Sequence, residues 1–186
     1  MPKCCLNLIS THITRLSLAF WIVKSTVRTL LAVALSAIAL TSCSHVDDDR
    51  IPAVGVNISL DNPGYWTTYG VHGLGQYRYF IKSENIPADF HYTDLTFTGF
   101  GGILLVTDIY NQPLAYDLAC PVEMKPTVRI SYDPDKLRAR CNSCGSEYDV
   151  NEFNGSPVSG PAHEKKYGLR RYRVIPSSSG GYNIVF

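Results

Sequence analysis

The chain has 186 residues, with 17 basic and 16 acidic side chains and a formal charge of +1. All basic residues before Cys43 (Lys3, Arg15, Lys24 and Arg28) lack an acidic counterpart, so the remainder carries 13 basic against 16 acidic residues, net −3. A mildly acidic remainder with no basic-aromatic stripe excludes nonspecific nucleic-acid binding, which needs a positive surface to displace counterions from phosphates.

Residues 30–40 read Leu-Leu-Ala-Val-Ala-Leu-Ser-Ala-Ile-Ala-Leu, preceded by Lys24 and Arg28 and followed by small residues. This pattern predicts a signal-peptide core, because crossing about 30 Å of hydrocarbon takes about 20 apolar residues. Joining it to the apolar stretch 16–23 would leave Lys24 and Arg28 inside the membrane. Leu40-Thr41-Ser42-Cys43 resembles the lipobox of bacterial lipoproteins. That resemblance implies a signal peptide over residues 1–42, cleaved so that Cys43 becomes the acylated first residue. Several acyl chains, at about 0.8 kcal/mol per buried CH₂, make a stable anchor. The alternative is an ordinary secretory signal with a chance cysteine. The stretch 1–22 is long for the basic lead of such a signal, and Cys4, Cys5 and Trp21 have no evident role there. Translation is therefore expected to begin near Val23 or Val27. Residues 43–50 then make up the lipidated cysteine and a solvated acidic tether. Its Asp47-Asp48-Asp49 run resembles the surface-export signal of some Bacteroidetes lipoproteins and reads equally well as a plain charged linker. The expected location is the bacterial outer membrane, held by lipid on its periplasmic or cell-surface side.

Residues 51–186 are long enough for one core and too short for two comfortable domains. Gly and Pro interrupt the segment often, aromatic and β-branched residues abound, and no stretch sustains helical periodicity over three turns. The pattern predicts an all-β fold. Residues 54–60 alternate as a strand and end in the turn Asp61-Asn62-Pro63-Gly64, and 76–81 form a Tyr-rich strand. Residues 93–98 alternate, 99–102 turn, and 103–106 form a buried run. Further strands are expected at 114–118, 128–132 and 137–140, before a last hairpin pairs 169–175 with 182–186. The glycines at 73, 75, 99, 101 and 102 have no following helix or phosphate-binding lysine, which argues against a nucleotide loop. His72 and His91 read as ordinary polar groups, and no catalytic constellation can be read from spacing.

The chemistry concentrates in Cys120-Pro121-Val122-Glu123 and Cys141-Asn142-Ser143-Cys144-Gly145-Ser146-Glu147-Tyr148-Asp149, followed by Gly160-Pro161-Ala162. Two strand-entered cysteine loops followed by a Gly-Pro-Ala loop resemble the cluster-binding part of Rieske 2Fe–2S proteins. The resemblance is strongest from Cys141 to Ala162 and covers at least residues 103–186. It implies an antiparallel β-sandwich with a smaller cluster-binding-type subdomain. It also places Cys120 and Cys141 at the family's cysteine positions, Val122 at the first histidine position and Cys144 at the second. Rieske centres hold one iron with two thiolates and the other with two imidazoles, and both imidazoles are missing here. A cluster would use Cys120, Cys141 and Cys144 plus a fourth donor, with His163 the first candidate and Glu123 the second. No Arg-Arg pair precedes the signal core, so the precursor is expected to cross the membrane unfolded and empty. In an oxidising compartment the same three thiols would form a disulfide, either Cys141–Cys144 or a tie from Cys120 to one of them. Three thiolates and His163 would also suit zinc. The expected function is a cluster-free binding or structural module, with a 2Fe–2S electron carrier and a zinc site as alternatives. No protein partner can be read.

Overall fold

A computed structural model describes residues 45–186. The expected signal peptide, Cys4, Cys5 and the expected lipidation site Cys43 lie outside the described residues. Among the described residues no helix is long and apolar enough to cross a membrane.

The first strand, β1 (Val56–Leu60), alternates buried and exposed positions, as its sequence predicts. Asp61–Gly64, expected as a turn, opens a helix instead. The Asn62 side chain accepts the Tyr65 N–H at 2.9 Å, and Pro63 occupies the first turn of α1 (Pro63–Tyr69). Asparagine as cap followed by proline is a start signal for which proline's missing N–H costs nothing. β2 (Tyr77–Phe80) follows, then β3 (Phe97–Thr98), much shorter than the predicted 93–98. Thr93 N–H donates to Thr96 Oγ1 at 3.1 Å, and Lys82 Nζ donates to the carbonyls of Thr93 and Thr96. These local side-chain bonds take the backbone out of the ladder.

β4 (Ile103–Thr107) pairs on one side with β2 and on the other with β5 (Pro113–Asp117). All five β4 residues are buried. Leu104 and Val106 belong to one apolar cluster and Ile103 and Leu105 to another, so the strand is covered on both faces and reads as a continuous apolar run. The seven-stranded sheet continues through β10 (Arg171–Pro176) and β11 (Tyr182–Val185), in the order β2-β4-β5-β10-β11-β1-β3. All its pairings are antiparallel. A second antiparallel sheet joins β6 (Ile130–Asp133), β7 (Arg138–Cys141), β8 (Glu147–Asp149) and β9 (Ser156–Ser159) in order. The last two replace what reads in sequence as motif and loop. Pro157 is accommodated because β9 is an edge strand whose outer side needs no partner. A short α2 (Pro161–Lys165) closes over this sheet. Ile130, Tyr132, Ala139, Cys141 and Tyr148 of the small sheet share one core with Leu104, Val106 and Tyr116 of the large one. Each such large apolar side chain contributes roughly 1.5–3 kcal/mol by leaving water.

From Val46 onward the acidic segment is hydrogen-bonded to the domain, while Asp47, Asp48 and Asp49 remain exposed to solvent. Asp47 N–H donates to Lys166 C=O at 2.8 Å, and Gly168 N–H donates to Asp47 C=O at 2.8 Å, forming a parallel bridge to Tyr167. The buried Arg170 donates to Ile51 C=O at 2.6 Å and to the Asp49 carboxylate at 2.9 Å. Arg50 lies over the Tyr167 ring and reaches Met124 Sδ at 3.0 Å. A buried guanidinium needs acceptors, and the acidic run supplies them.

Candidate metal centre

Cys120 lies just beyond β5, and Cys141 is the last residue of β7. The two strands belong to different sheets, and the shared core brings their ends together. Cys120, Cys141 and Cys144 present their sulfurs within 4.8 Å of one another. None of the three is disulfide-bonded, and the Cys120 and Cys144 sulfurs are 3.6 Å apart. Around a zinc ion with Zn–S bonds of about 2.3 Å, tetrahedral geometry sets sulfurs about 3.8 Å apart. The observed pair already stands close to that spacing.

The two cysteine loops are conformational twins. Met124 N–H donates to Cys120 C=O at 2.9 Å, and Gly145 N–H donates to Cys141 C=O at 2.9 Å. The fifth residue of each loop adopts a left-handed backbone, Met124 with φ 53° and Gly145 with φ 74°. Glycine takes that conformation freely, whereas methionine there is a sign that the loop is held by its surroundings. The first residue of each loop is buried, and the fourth, Glu123 or Cys144, is half-buried. Ser143 Oγ of the second loop donates to Glu123 Oε1 at 3.1 Å, which binds the loops to each other beside the sulfurs.

Burial pushes the Cys120 thiol up to about 12, partly offset by the nearby backbone of Glu123 and Val122. For Cys144, burial also acts upward, but the Ser146 hydroxyl and N–H and the neighbouring thiols outweigh it and hold the group below the ordinary thiol value. The Cys144 thiol donates to Ser146 Oγ at 3.1 Å, and the same oxygen accepts Ala162 N–H at 3.0 Å, which fixes the hydroxyl beside the sulfur. Tyr148 OH lies 3.7 Å from Cys120 Sγ on the buried side. Ser146 and Tyr148 of the motif therefore face the sulfurs, and Ala162 holds Ser146 through its N–H. Asp149 is engaged elsewhere, accepting the N–H groups of Glu152 at 2.8 Å and Asn151 at 3.2 Å and pairing with Arg138. It anchors the chain after β8.

His163, the first-ranked fourth donor, does not join the sulfurs. It is exposed on α2, its Nδ1 is 3.0 Å from Pro157 C=O, and neither ring nitrogen falls in the 4.8 Å group. α2 begins at Pro161, so His163 falls in its first turn and bonds back to β9. The Glu123 oxygens also lie outside the 4.8 Å group, but on the loop that carries Cys120. Val122 packs against the apolar core and offers no donor atom. His72 and His91 are exposed and remote from any such cluster among the described residues. Sequence reasoning gave no role to Ser146 or Tyr148 as groups facing sulfur. The Gly-Ser and Tyr-Asp pairs were the available signal.

No family model matches the chain, and no curated protein or solved structure matches it either.

Proposed function

We propose that this protein is a lipid-anchored module of the bacterial cell envelope, Rieske-like in plan, whose cysteine site holds no 2Fe–2S cluster and instead ties two loops together in a binding or structural domain. The observation that carries this reading is the convergence of three sulfurs within 4.8 Å beside a valine that cannot ligate. A 2Fe–2S centre needs four donors divided between two irons held apart by bridging sulfides. Three donors gathered at one point suit a single ion or a sulfur–sulfur bond, and they do not fit that cluster.

The envelope location rests on the apolar stretch 30–40 and the lipobox-like residues ending at Cys43. Lipid attachment there would leave Cys120, Cys141 and Cys144 as the thiols of the mature chain. Outer-membrane placement agrees with the acidic run after the cysteine, which the domain also uses internally through Asp49 and Arg170.

Native protein extracted from membranes should be colourless, without visible charge-transfer bands and without acid-labile sulfide. A brown protein with stoichiometric iron and sulfide would overturn the reading.

A further inference from the structure

We infer that the two twin loops form a mononuclear site for a soft divalent cation of the zinc type, with Cys120, Cys141 and Cys144 as thiolate ligands and Glu123 as the fourth. This rests on the cluster-free reading above and deepens it by naming what occupies the site.

Glu123 owes its place to the equivalence of the loops. Each loop has its first residue buried at the end of a strand segment, closes with the same 2.9 Å bond from the fifth N–H to the first carbonyl, and has a left-handed fifth residue. In the second loop the first and fourth residues, Cys141 and Cys144, both present sulfur to the common point. The matching pair in the first loop is Cys120 and Glu123. Two first-and-fourth pairs from facing loops supply four donors, the number a tetrahedral structural site requires. The Glu123 carboxylate already reaches across to Ser143, which lies between the two cysteines of the other loop. Ligation requires the carboxylate to release the Ser143 hydroxyl and turn toward the sulfurs.

The surroundings fit a metal better than a disulfide. A disulfide would use two sulfurs and strand the third, whereas here three converge. Hydroxyls stand at two of the sulfurs, Tyr148 OH 3.7 Å from Cys120 Sγ and Ser146 Oγ 3.1 Å from Cys144 Sγ. Such donors have little to offer a neutral disulfide. They compensate thiolate charge, and they are the kind of outer contact that orients metal ligands. Binding replaces the thiol protons with the ion, so the cation's charge offsets charge that burial would otherwise penalise and protons are released to solvent. A thiolate-rich tetrahedral donor set selects zinc over the harder calcium and magnesium.

The test is a cobalt titration of the full chain, solubilised from membranes and reduced under anaerobic conditions. Expected is one equivalent of Co²⁺ bound with tetrahedral visible bands and a sulfur-to-cobalt charge-transfer band, both abolished by adding zinc. Glu123→Gln, a half-buried change that leaves the core intact, should weaken binding by at least the roughly 10–100-fold that outer contacts alone are worth. His163→Ala should titrate like the parent. Absence of the charge-transfer band in reduced protein would overturn the site, as would a native disulfide with one free thiol. An unchanged Glu123→Gln titration would overturn the fourth ligand. Each of these leaves the cluster-free reading standing, whereas native iron with labile sulfide would remove that reading itself.

Discussion

Asp117 and the cysteine site are two buried polar centres that begin only three residues apart in the chain, and they are built on opposite principles. The Asp117 side chain is fully buried and receives N–H groups from Phe100 at 2.8 Å, Gly101 at 3.0 Å and Ala119 at 2.8 Å, with Tyr172 OH at 2.8 Å. Its lone pairs are filled from within the fold. The glycine-rich stretch 99–102, whose sequence argues against a nucleotide loop, turns the Phe100 and Gly101 amides onto this internal carboxylate. Glycine is required there, since a Cβ on Gly101 would meet Ala119 N at 2.5 Å. At the cysteine site, by contrast, three sulfurs face one another and the fourth matching group stands aside. A polar centre satisfied from inside holds the fold, whereas the zinc-type ion proposed above would complete the convergent sulfurs from outside.

That contrast can be broken at several points. The largest effect is expected at Asp117. Asp117→Ala leaves one hydroxyl and three amide donors without an acceptor in the core, at about 1–3 kcal/mol for each unsatisfied group before relaxation. A loss of about 3–5 kcal/mol in urea unfolding is expected, and a loss under 1 kcal/mol would mean that the network is not a keystone.

Chelation should act on the other centre. At a hundredfold excess of zinc over its Kd, binding only the folded form adds about 2.7 kcal/mol. A strong chelator should remove that increment from the reduced protein and leave Asp117→Ala chains equally sensitive, which thermal unfolding with and without chelator will show.

Alkaline pH should weaken the shared core. Burial raises Tyr92 from its ordinary 10.0 to about 12, and burial lifts Tyr116, Tyr148 and Tyr172 further still. A raised pKa means that the folded state holds the proton more tightly. The stabilisation is therefore complete below pH 10 and is lost as pH rises through the folded values. Tyrosinate absorbance should appear for the buried Tyr116, Tyr148 and Tyr172 only with unfolding. Smooth ionisation of all twelve tyrosines near pH 10 in a folded protein would contradict their burial.

The smallest effect is expected at the docked N-terminal segment. Arg170→Ala removes bonds to Ile51 and Asp49 and should cost about 1–2 kcal/mol, with residues 45–50 becoming protease-sensitive. Arg50, which reaches Met124 beside Glu123, would lose its support, so metal affinity should fall modestly as well.

The all-β class, the buried run at β4 and the final hairpin were legible because each is written in local alternation and turn chemistry. The two short helices, β8 and β9 were less so, since strands of three and four residues leave too few positions for a period to show. The three thiols were legible as a group. His163 ranked ahead of Glu123 because it directly follows the Gly-Pro-Ala loop, whereas the equivalence of the two cysteine loops, on which the Glu123 proposal rests, shows only in the fold. The Asp117 network was hidden because its donors come from residues 100, 101, 119 and 172, which meet only in the folded sheet.

The most direct test of the central claim is metal, sulfide and thiol analysis of native protein taken from membranes without added metal and unfolded anaerobically. One zinc per chain, no labile sulfide and free thiols at Cys120, Cys141 and Cys144 is the expected result. Iron with equimolar sulfide, or a disulfide joining two of the three, would contradict it.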